Sequence, residues 1–354
     1  MSRFFSSKYD LLTPYTPGEQ PKNVSYIKLN TNESPFPPPP LVQQYAKKEA
    51  ERLHLYSDPQ CRDLVAIAAE KLGVATDEIL FTNGSDEILN FAFMAFCDGA
   101  HPAVFPDITY GFYRVFAQVN GVPYTEIPLQ QDFTIRVEDY IGQNQMIVIA
   151  NPNAPTGIAL PLSDIEKIVA GNPDSVVVID EAYVDFGAES ALKLIHKYDN
   201  LLVTQTFSKS RSMAGARLGF GAGNRELIRD LNTIKYSTNP YNVNRMTMAA
   251  GVGALEADGY FRVNCQKIIE TRDWTNMELI KLGFHILPSM TNFVFAKYPG
   301  ISGKTLNLAL REKGILVRHF DTPKLNDYNR ITIGSREQMK SLVSALKEIL
   351  EELQ

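Results

Sequence analysis

Two hydrophobic periods run through this chain. Short, mostly apolar runs predict strands at 79–82, 103–105, 124–127, 146–150, 176–179 and 201–204. Between them, apolar residues recur at three- and four-residue spacing, predicting helices at 41–53, 62–72, 87–96, 110–119, 163–170 and 191–198. Gly73 stands where the second of these should stop, and Ser163 with Glu166 reads as a capping box. Strands that are apolar on both faces and separated by helices indicate a mostly parallel sheet covered on both sides, an α/β fold.

After Gly219 the pattern changes. Long helices are predicted at 225–235, 243–257 and 261–282, then a strand at 293–296. A last helix carries Met339, Leu342, Val343, Leu346, Ile349 and Leu350 on one face, with Ser335 and Gln338 capping its start. The expected division is an N-terminal arm (1–32), a large domain (33–245) and a small C-terminal α+β domain (246–354). Pro35 and Pro37 to Pro40 carry the chain out of the arm in a stiff, extended form.

Composition narrows the function. A net charge of −5 with no block of clustered Lys and Arg argues against a nucleic-acid surface. Three widely spaced cysteines read as reduced core residues, and the most apolar stretch, 88–97, is too short to span a bilayer. We expect a soluble, untargeted cytoplasmic protein. The five histidines show no metal-ligand spacing, so no metal is expected.

The stretch Thr204 to Gly219, TQTFSKSRSMAGARLG, carries the candidate chemistry. Lys209 follows an apolar strand, where partial burial frees an amine to act as a nucleophile. Thr206, Ser208 and Arg217 supply the hydroxyls and guanidinium that suit a phosphate. A lone Ser-Lys is ordinarily a solvated turn, but a Schiff-base lysine beside a phosphate site is what pyridoxal phosphate needs. Asn83-Gly84-Ser85-Asp86 joins a strand to a helix start, a turn whose free N–H groups face an anion. Asp180 ends a buried strand one βαβ repeat earlier. A strand-end Asp is often only a helix cap, yet beside Lys209 it is suited to pair with a pyridine nitrogen, and Tyr183 in the next turn to donate to the ring's phenolic oxygen.

The words DEAY, TFSKSRSMAGARLG and NPNAPTG resemble the fold-type I pyridoxal-phosphate aminotransferases, in particular the histidinol-phosphate aminotransferases. LTPY, N-x-N-E-x-P, NGSDE, TYGFY, GILVR and RITIGS fall in that family's order along nearly the whole chain. The resemblance implies a PLP transferase fold and transfer of an amino group between L-histidinol phosphate and 2-oxoglutarate. It makes Lys209 the Schiff-base lysine, with Asp180 on the pyridine nitrogen and Tyr183 on the phenolic oxygen. Tyr110 would stack on the ring, and Ser85, Asp86, Thr206, Ser208 and Arg217 would hold its phosphate. Tyr56 would reach the cofactor of a second subunit, implying a homodimer with shared sites. Arg318 and Arg330 would clamp the substrate phosphate, with Tyr15, Asn32 and Asn292 lining the pocket.

One position departs from the pattern. The family reads PNNPTG, and its second Asn bonds the phenolic oxygen; here Ala154 stands there, preceded by Asn153. Asn153 reaching in, a water, or Tyr183 alone are the alternatives. Rival activities on the same scaffold are threonine-phosphate decarboxylation and aromatic amino-acid transamination.

Overall fold

The computed structural model describes residues 2–10, 12–21 and 25–353. After a short strand β1 (Ile27–Lys28), the proline run ends by opening helix α1 (Pro40–Ala50), a position where the missing N–H is not needed. Helix α2 (Arg62–Leu72) stops at Gly73, as expected. There follow β2 (Ile79–Thr82), α3 (Ser85–Phe96), β3 (Ala103–Pro106), α4 (Phe112–Asn120), β4 (Tyr124–Ile127), β5 (Met146–Ala150), α5 (Leu162–Ala170), β6 (Val177–Asp180), β7 (Leu201–Thr206) and β8 (Gly219–Gly223). The strands form one sheet in the order β2-β8-β7-β6-β5-β3-β4. Strands β3 to β7 run parallel, and β8 is antiparallel to both its neighbours.

Parallel register brings Ala150, Asp180 and Thr204 level with one another on β5, β6 and β7. Every residue of β3, β5 and β6 is buried, with separate apolar clusters on the two sides of the sheet. Ligands of such sheets lie beyond the carboxyl ends of the strands, so this shared edge is where chemistry is expected.

Three local readings of the sequence do not hold. Helix α5 begins one residue early, because Pro161 is the extended N-cap and Leu162 the first helical residue; Ser163 is inside the turn and cannot cap it. Glu166 instead accepts from Lys197 and Tyr198. The segment 191–198 is no α-helix but a single 3-10 turn, Ala191–Leu194, with Ser190 accepting from the N–H of Leu192. Strand β8 was not foreseen at all, since three of its five residues are glycine. The structure explains them: a Cβ at Gly219 would lie 2.4 Å from the Ser85 nitrogen and 3.0 Å from the Gln205 carbonyl. Only glycine lets the start of α3 sit against this strand.

The rest of the chain is α6 (Arg225–Thr238), α7 (Arg245–Glu256), α8 (Asp258–Lys281), β9 (His285–Ile286), β10 (Phe293–Lys297), α9 (Gly303–Glu312), β11 (Ile315–Leu316), β12 (Arg318–His319), β13 (Tyr328–Thr332) and α10 (Arg336–Leu353). Helix α7 packs against α1 and α2, whereas α8 turns to a second, antiparallel sheet ordered β12-β13-β10-β9. Ile268, Phe293, Ile331, Leu342 and Leu346 are among the core residues between that sheet and α8 to α10. The capping box of α10 is present, Ser335 and Gln338 bonding each other's backbone N–H. Strand β1 pairs in parallel with β11, Ile27 opposite Ile315, so the N-terminal arm is stitched to the C-terminal part. No helix among the described residues is long and apolar enough to cross a membrane.

Candidate active site

A cavity of about 780 Å³ opens at the carboxyl edge of the large sheet and is roofed by the N-terminal arm and by β12 and β13. One corner is built for an anion. Arg217 takes a left-handed backbone conformation, φ 55°, that turns its side chain back toward α3. Its Nη2 pairs with Asp86 Oδ2 at 2.9 Å, and its Nη1 donates to Ser208 Oγ at 3.3 Å. Thr206 and Ser208 hydroxyls lie 3.0 Å apart, and the Ser208 N–H donates to Thr206 Oγ1. Helix α3 opens at Ser85 with no side chain capping it, which leaves N–H groups at the same corner. Gly84, at φ 81°, is required there: a Cβ would stand 2.7 Å from Arg217 Nη2.

Deeper in the cavity lies a buried acid. Asp180 accepts from the Tyr113 hydroxyl at 2.7 Å and from the Ala182 N–H at 3.2 Å. Burial pushes its pKa up to about 6, against the lowering effect of the Tyr113 bond. Among the described residues it forms no ion pair. Tyr113 is fully buried and was not singled out in the sequence. Its ring meets Tyr110 edge-on at 5.7 Å, and Tyr110 in turn donates to Asp86 Oδ1 at 2.8 Å. Burial, and then the Asp86 charge, raise the Tyr110 pKa, so both tyrosines are neutral donors at physiological pH.

Lys209 projects into the cavity from the turn after β7. Its Nζ donates to the Thr31 carbonyl at 3.2 Å and lies 5.9 Å from the centre of the Tyr183 ring. Tyr183 packs edge-on against Phe293 and receives the Asn32 amide at 2.9 Å.

At the far end, Arg318 and Arg330 lie opposite each other on β12 and β13. Each guanidinium sits 5.6 Å from the Phe320 ring centre. Arg330 donates to the Asn30 carbonyl at 3.2 Å, and its Nε is buried with no partner among the described residues. Burial lowers the pKa of Arg330, but not enough to uncharge a guanidinium. Arg318 holds the arm through the Thr16 and Pro17 carbonyls. Tyr15 stacks on Phe112 at 4.4 Å and forms the near wall.

Most of the residues expected at the site converge here, and three do not line the cavity. Asn153 spends its side chain on scaffolding: it donates to the Ile108 carbonyl and Thr156 Oγ1 and accepts from Thr109. It therefore does not replace the amide lost at Ala154, whose methyl is part of the wall. Asn292 is fully buried behind Asn32, donating to its carbonyl. Tyr56 lies outside, 81% exposed, stacked on Tyr241 at 4.6 Å. Residues the sequence did not mark include Thr31, Tyr113, Phe320 and the Lys324–Asp107 pair (2.7 Å), which spans the mouth.

Residues 24–346 match the family described as Aminotransferase class I and II. A histidinol-phosphate aminotransferase of Brachyspira hyodysenteriae is 48% identical over 353 residues, covering 99% of this chain and 100% of that protein. Histidinol-phosphate aminotransferase 1 of Bradyrhizobium diazoefficiens is 47% identical over 350 residues, covering 99% and 100%. Among solved structures, histidinol-phosphate aminotransferase from Sinorhizobium meliloti in complex with pyridoxal-5'-phosphate has a TM-score of 0.85 at 24% identity, over 93% of this chain and 92% of that one. At that identity the likeness speaks for the fold.

Proposed function

The chain belongs to the class I and II aminotransferases, and on that premise we propose that it moves an amino group between L-histidinol phosphate and 2-oxoglutarate, yielding imidazole acetol phosphate and L-glutamate in histidine biosynthesis. The observation that carries this reading is the pairing of Arg318 with Arg330 in the same cavity as Lys209 and Asp180. Two guanidinium groups at one end suit a phosphate dianion better than a single carboxylate, and the same pair accepts glutamate in the return reaction.

The residues fit pyridoxal phosphate. A buried carboxylate with no ion pair among the described residues, Asp180, is suited to a protonated ring nitrogen, and the Arg217 corner suits a phosphate. When bound, the cofactor supplies an aldehyde that condenses with amines and a ring that withdraws electrons as the substrate Cα–H bond breaks. The chain supplies the rest. Ser85, Thr206, Ser208 and Arg217 bind the phosphate, and Asp86 fixes both Arg217 and Tyr110, whose ring forms one face of the slot. Asp180 balances the ring charge, and Tyr183 donates to the phenolic oxygen. Lys209 is half-buried, and its one hydrogen bond among the described residues is to the Thr31 carbonyl, so the side chain is placed to reach the Cα proton. Arg318 and Arg330 fix the distal phosphate, with Tyr15 and Asn32 closing the walls and Asn292 bracing Asn32.

We further propose a homodimer. Tyr56 is held outward by its loop, since Arg245 donates to its carbonyl, Ser57 to that of Val243 and Lys235 to that of Pro59. That is the posture needed to reach a second subunit's site. The domain division is proposed as an arm, a cofactor-binding unit and a smaller C-terminal unit; the packing of α7 on α1 and α2 favours a cut near Ala257 rather than 245. A cytoplasmic location accords with three unpaired cysteines.

The test is a half-reaction assay with loaded enzyme, following the cofactor's visible band with histidinol phosphate, threonine phosphate and phenylalanine in parallel. Histidinol phosphate should react fastest, and Lys209→Ala should abolish all three. Carbon dioxide release from threonine phosphate without an oxo acid, or turnover by Lys209→Ala at the wild-type rate, overturns the reading.

A further inference from the structure

We propose that Asn32 is a positioning residue that sets the direction of the Tyr183 proton, so that Tyr183 alone serves the cofactor's phenolic oxygen in a chain that carries Ala154. The inference rests on the function proposed above and deepens it.

The hydrogen-bond order near Asn32 is determined link by link. The Asn32 backbone N–H donates to Thr332 Oγ1 at 2.9 Å, so that hydroxyl uses its own proton elsewhere. It donates it to Asn32 Oδ1 at 3.0 Å. The side-chain amide is thereby oriented, its carbonyl toward Thr332 and its NH₂ toward Tyr183, 2.9 Å away. A phenol has one proton, and its oxygen here is already receiving one from Asn32. The Tyr183 proton is directed away from Asn32, into the cavity that both residues line. The backbone is committed to this arrangement as well: Asn32 has φ 55°, and the Asn292 amide donates to its carbonyl at 2.9 Å. Asn32 is 1% exposed, so water does not compete for these bonds.

Among the described residues, neither side chain at the expected place shares the task. Ala154 offers a methyl, and Asn153 is consumed by Ile108, Thr109 and Thr156. The charged groups facing Tyr183 are Lys209, at 5.9 Å from the ring centre, and Arg330, whose charge reaches it across the cavity. A change at Asn32 leaves both in place, but the carboxylate of Asn32→Asp adds its own charge near them, so the comparison of single and double variants carries the test.

The decisive substitution is Asn32→Asp, which keeps shape but turns a donor into an acceptor, so that the Tyr183 proton is drawn back toward residue 32. The readout is the pH at which the visible band of the protein loaded with pyridoxal phosphate shifts. A donor to the phenolic oxygen favours its anion, so losing it should raise that pH by about one unit. Tyr183→Phe should raise it similarly, and combining the two should add almost nothing. Ala154→Asn in the Asn32→Asp background should bring it back down by supplying a new donor. A spectral midpoint unchanged in Asn32→Asp, or fully additive shifts in the double variant, overturns the inference. If Asn32→Asp does not fold, Tyr183→Phe with and without Ala154→Asn decides it: no rise in the first, or no recovery in the second, is equally fatal. Failure of the wild-type protein to show the band at all would instead overturn the proposed function.

Discussion

Replacing Tyr113 with Phe removes one oxygen from a fully buried site and isolates what that oxygen does to Asp180. The carboxyl stands at about 6 because burial raises it more than the Tyr113 hydrogen bond lowers it. A hydrogen bond to a charged acceptor contributes about 1.5–3 kcal/mol, or about one to two pKa units, so Asp180 in Tyr113→Phe should titrate near ~7–8. At pH 7.5 the ionised fraction would fall from ~97% to somewhere between ~75% and ~25%. The sign of the stability effect follows by linkage. A folded pKa above the unfolded value near 3.8 means that the contribution to stability is present below that value and lost as pH rises through the folded pKa. In the wild-type cofactor-free protein this loss is about 3 kcal/mol between pH 4 and 7. In Tyr113→Phe it should continue to pH 8 and be larger by about 1.5–3 kcal/mol. Denaturant unfolding of both cofactor-free proteins from pH 4 to 8 measures this directly. A packing defect would give a constant difference between them; a difference that grows with pH is the signature of the lost bond. A flat difference, or one that shrinks toward pH 8, would refute the reasoning.

Three further outcomes are expected. Gly84→Ala places a methyl against Arg217 at a backbone angle costing about 1–2 kcal/mol, and pyridoxal phosphate affinity measured by absorbance titration should fall about tenfold; unchanged affinity would remove Arg217 from the phosphate corner. Arg318→Ala should raise KM for histidinol phosphate by about 10- to 100-fold while affecting glutamate less, as steady-state kinetics with each amine will show; equal effects would argue against a distal phosphate clamp. Glu181, buried and pushed up to about 7, accepts from Ser190, Ala191 and Gln205. Its folded pKa exceeds the unfolded value near 4.5, so its contribution to stability is lost between pH 4.5 and 7. Glu181→Gln should flatten the wild-type stability profile there by about 3 kcal/mol, and an equally steep profile in the variant would count against that pKa.

What was legible in the sequence was whatever depends on local pattern. The strands 79–82, 124–127 and 146–150 and helix 62–72 are found where hydrophobic spacing puts them: 79–82 and 146–150 are buried throughout, and helix 62–72 buries Leu64, Ala68 and Ala69 on one stripe. Strand β8 was invisible because Gly219 and Gly221 answer to α3, which lies over them, and Gly223 to the backbone of β7, and not to strand propensity. The 191–198 segment has helical spacing and a capped start, with acceptors from Glu181 and Ser190 on its first N–H groups, yet forms only one 3-10 turn. At the site, Lys209, Asp180 and Arg217 were readable because their chemistry is unusual at strand ends. Tyr113 and Phe320 were not, since an aromatic residue in a sequence looks like core until its hydroxyl or its ring face is seen to meet a charged group. Asn153 misled for the opposite reason, an amide beside the right place whose bonds all run to scaffold.

The arm bears on the order in which the molecule assembles. Asn32 meets Thr332 across 300 positions of chain, Asn292 across 260, and Thr31 meets Lys209 across 178. Contacts between such distant positions bear the largest loop-closure entropy, and they form once the pieces they join already exist. The cofactor corner, by contrast, lies wholly within residues 84–217. The contacts of the corner therefore do not depend on the arm, whereas those of the roof do. Phosphate capture and a completed cavity thus rest on different stretches of the chain, the first on its middle and the second on the arm and the C-terminal strands.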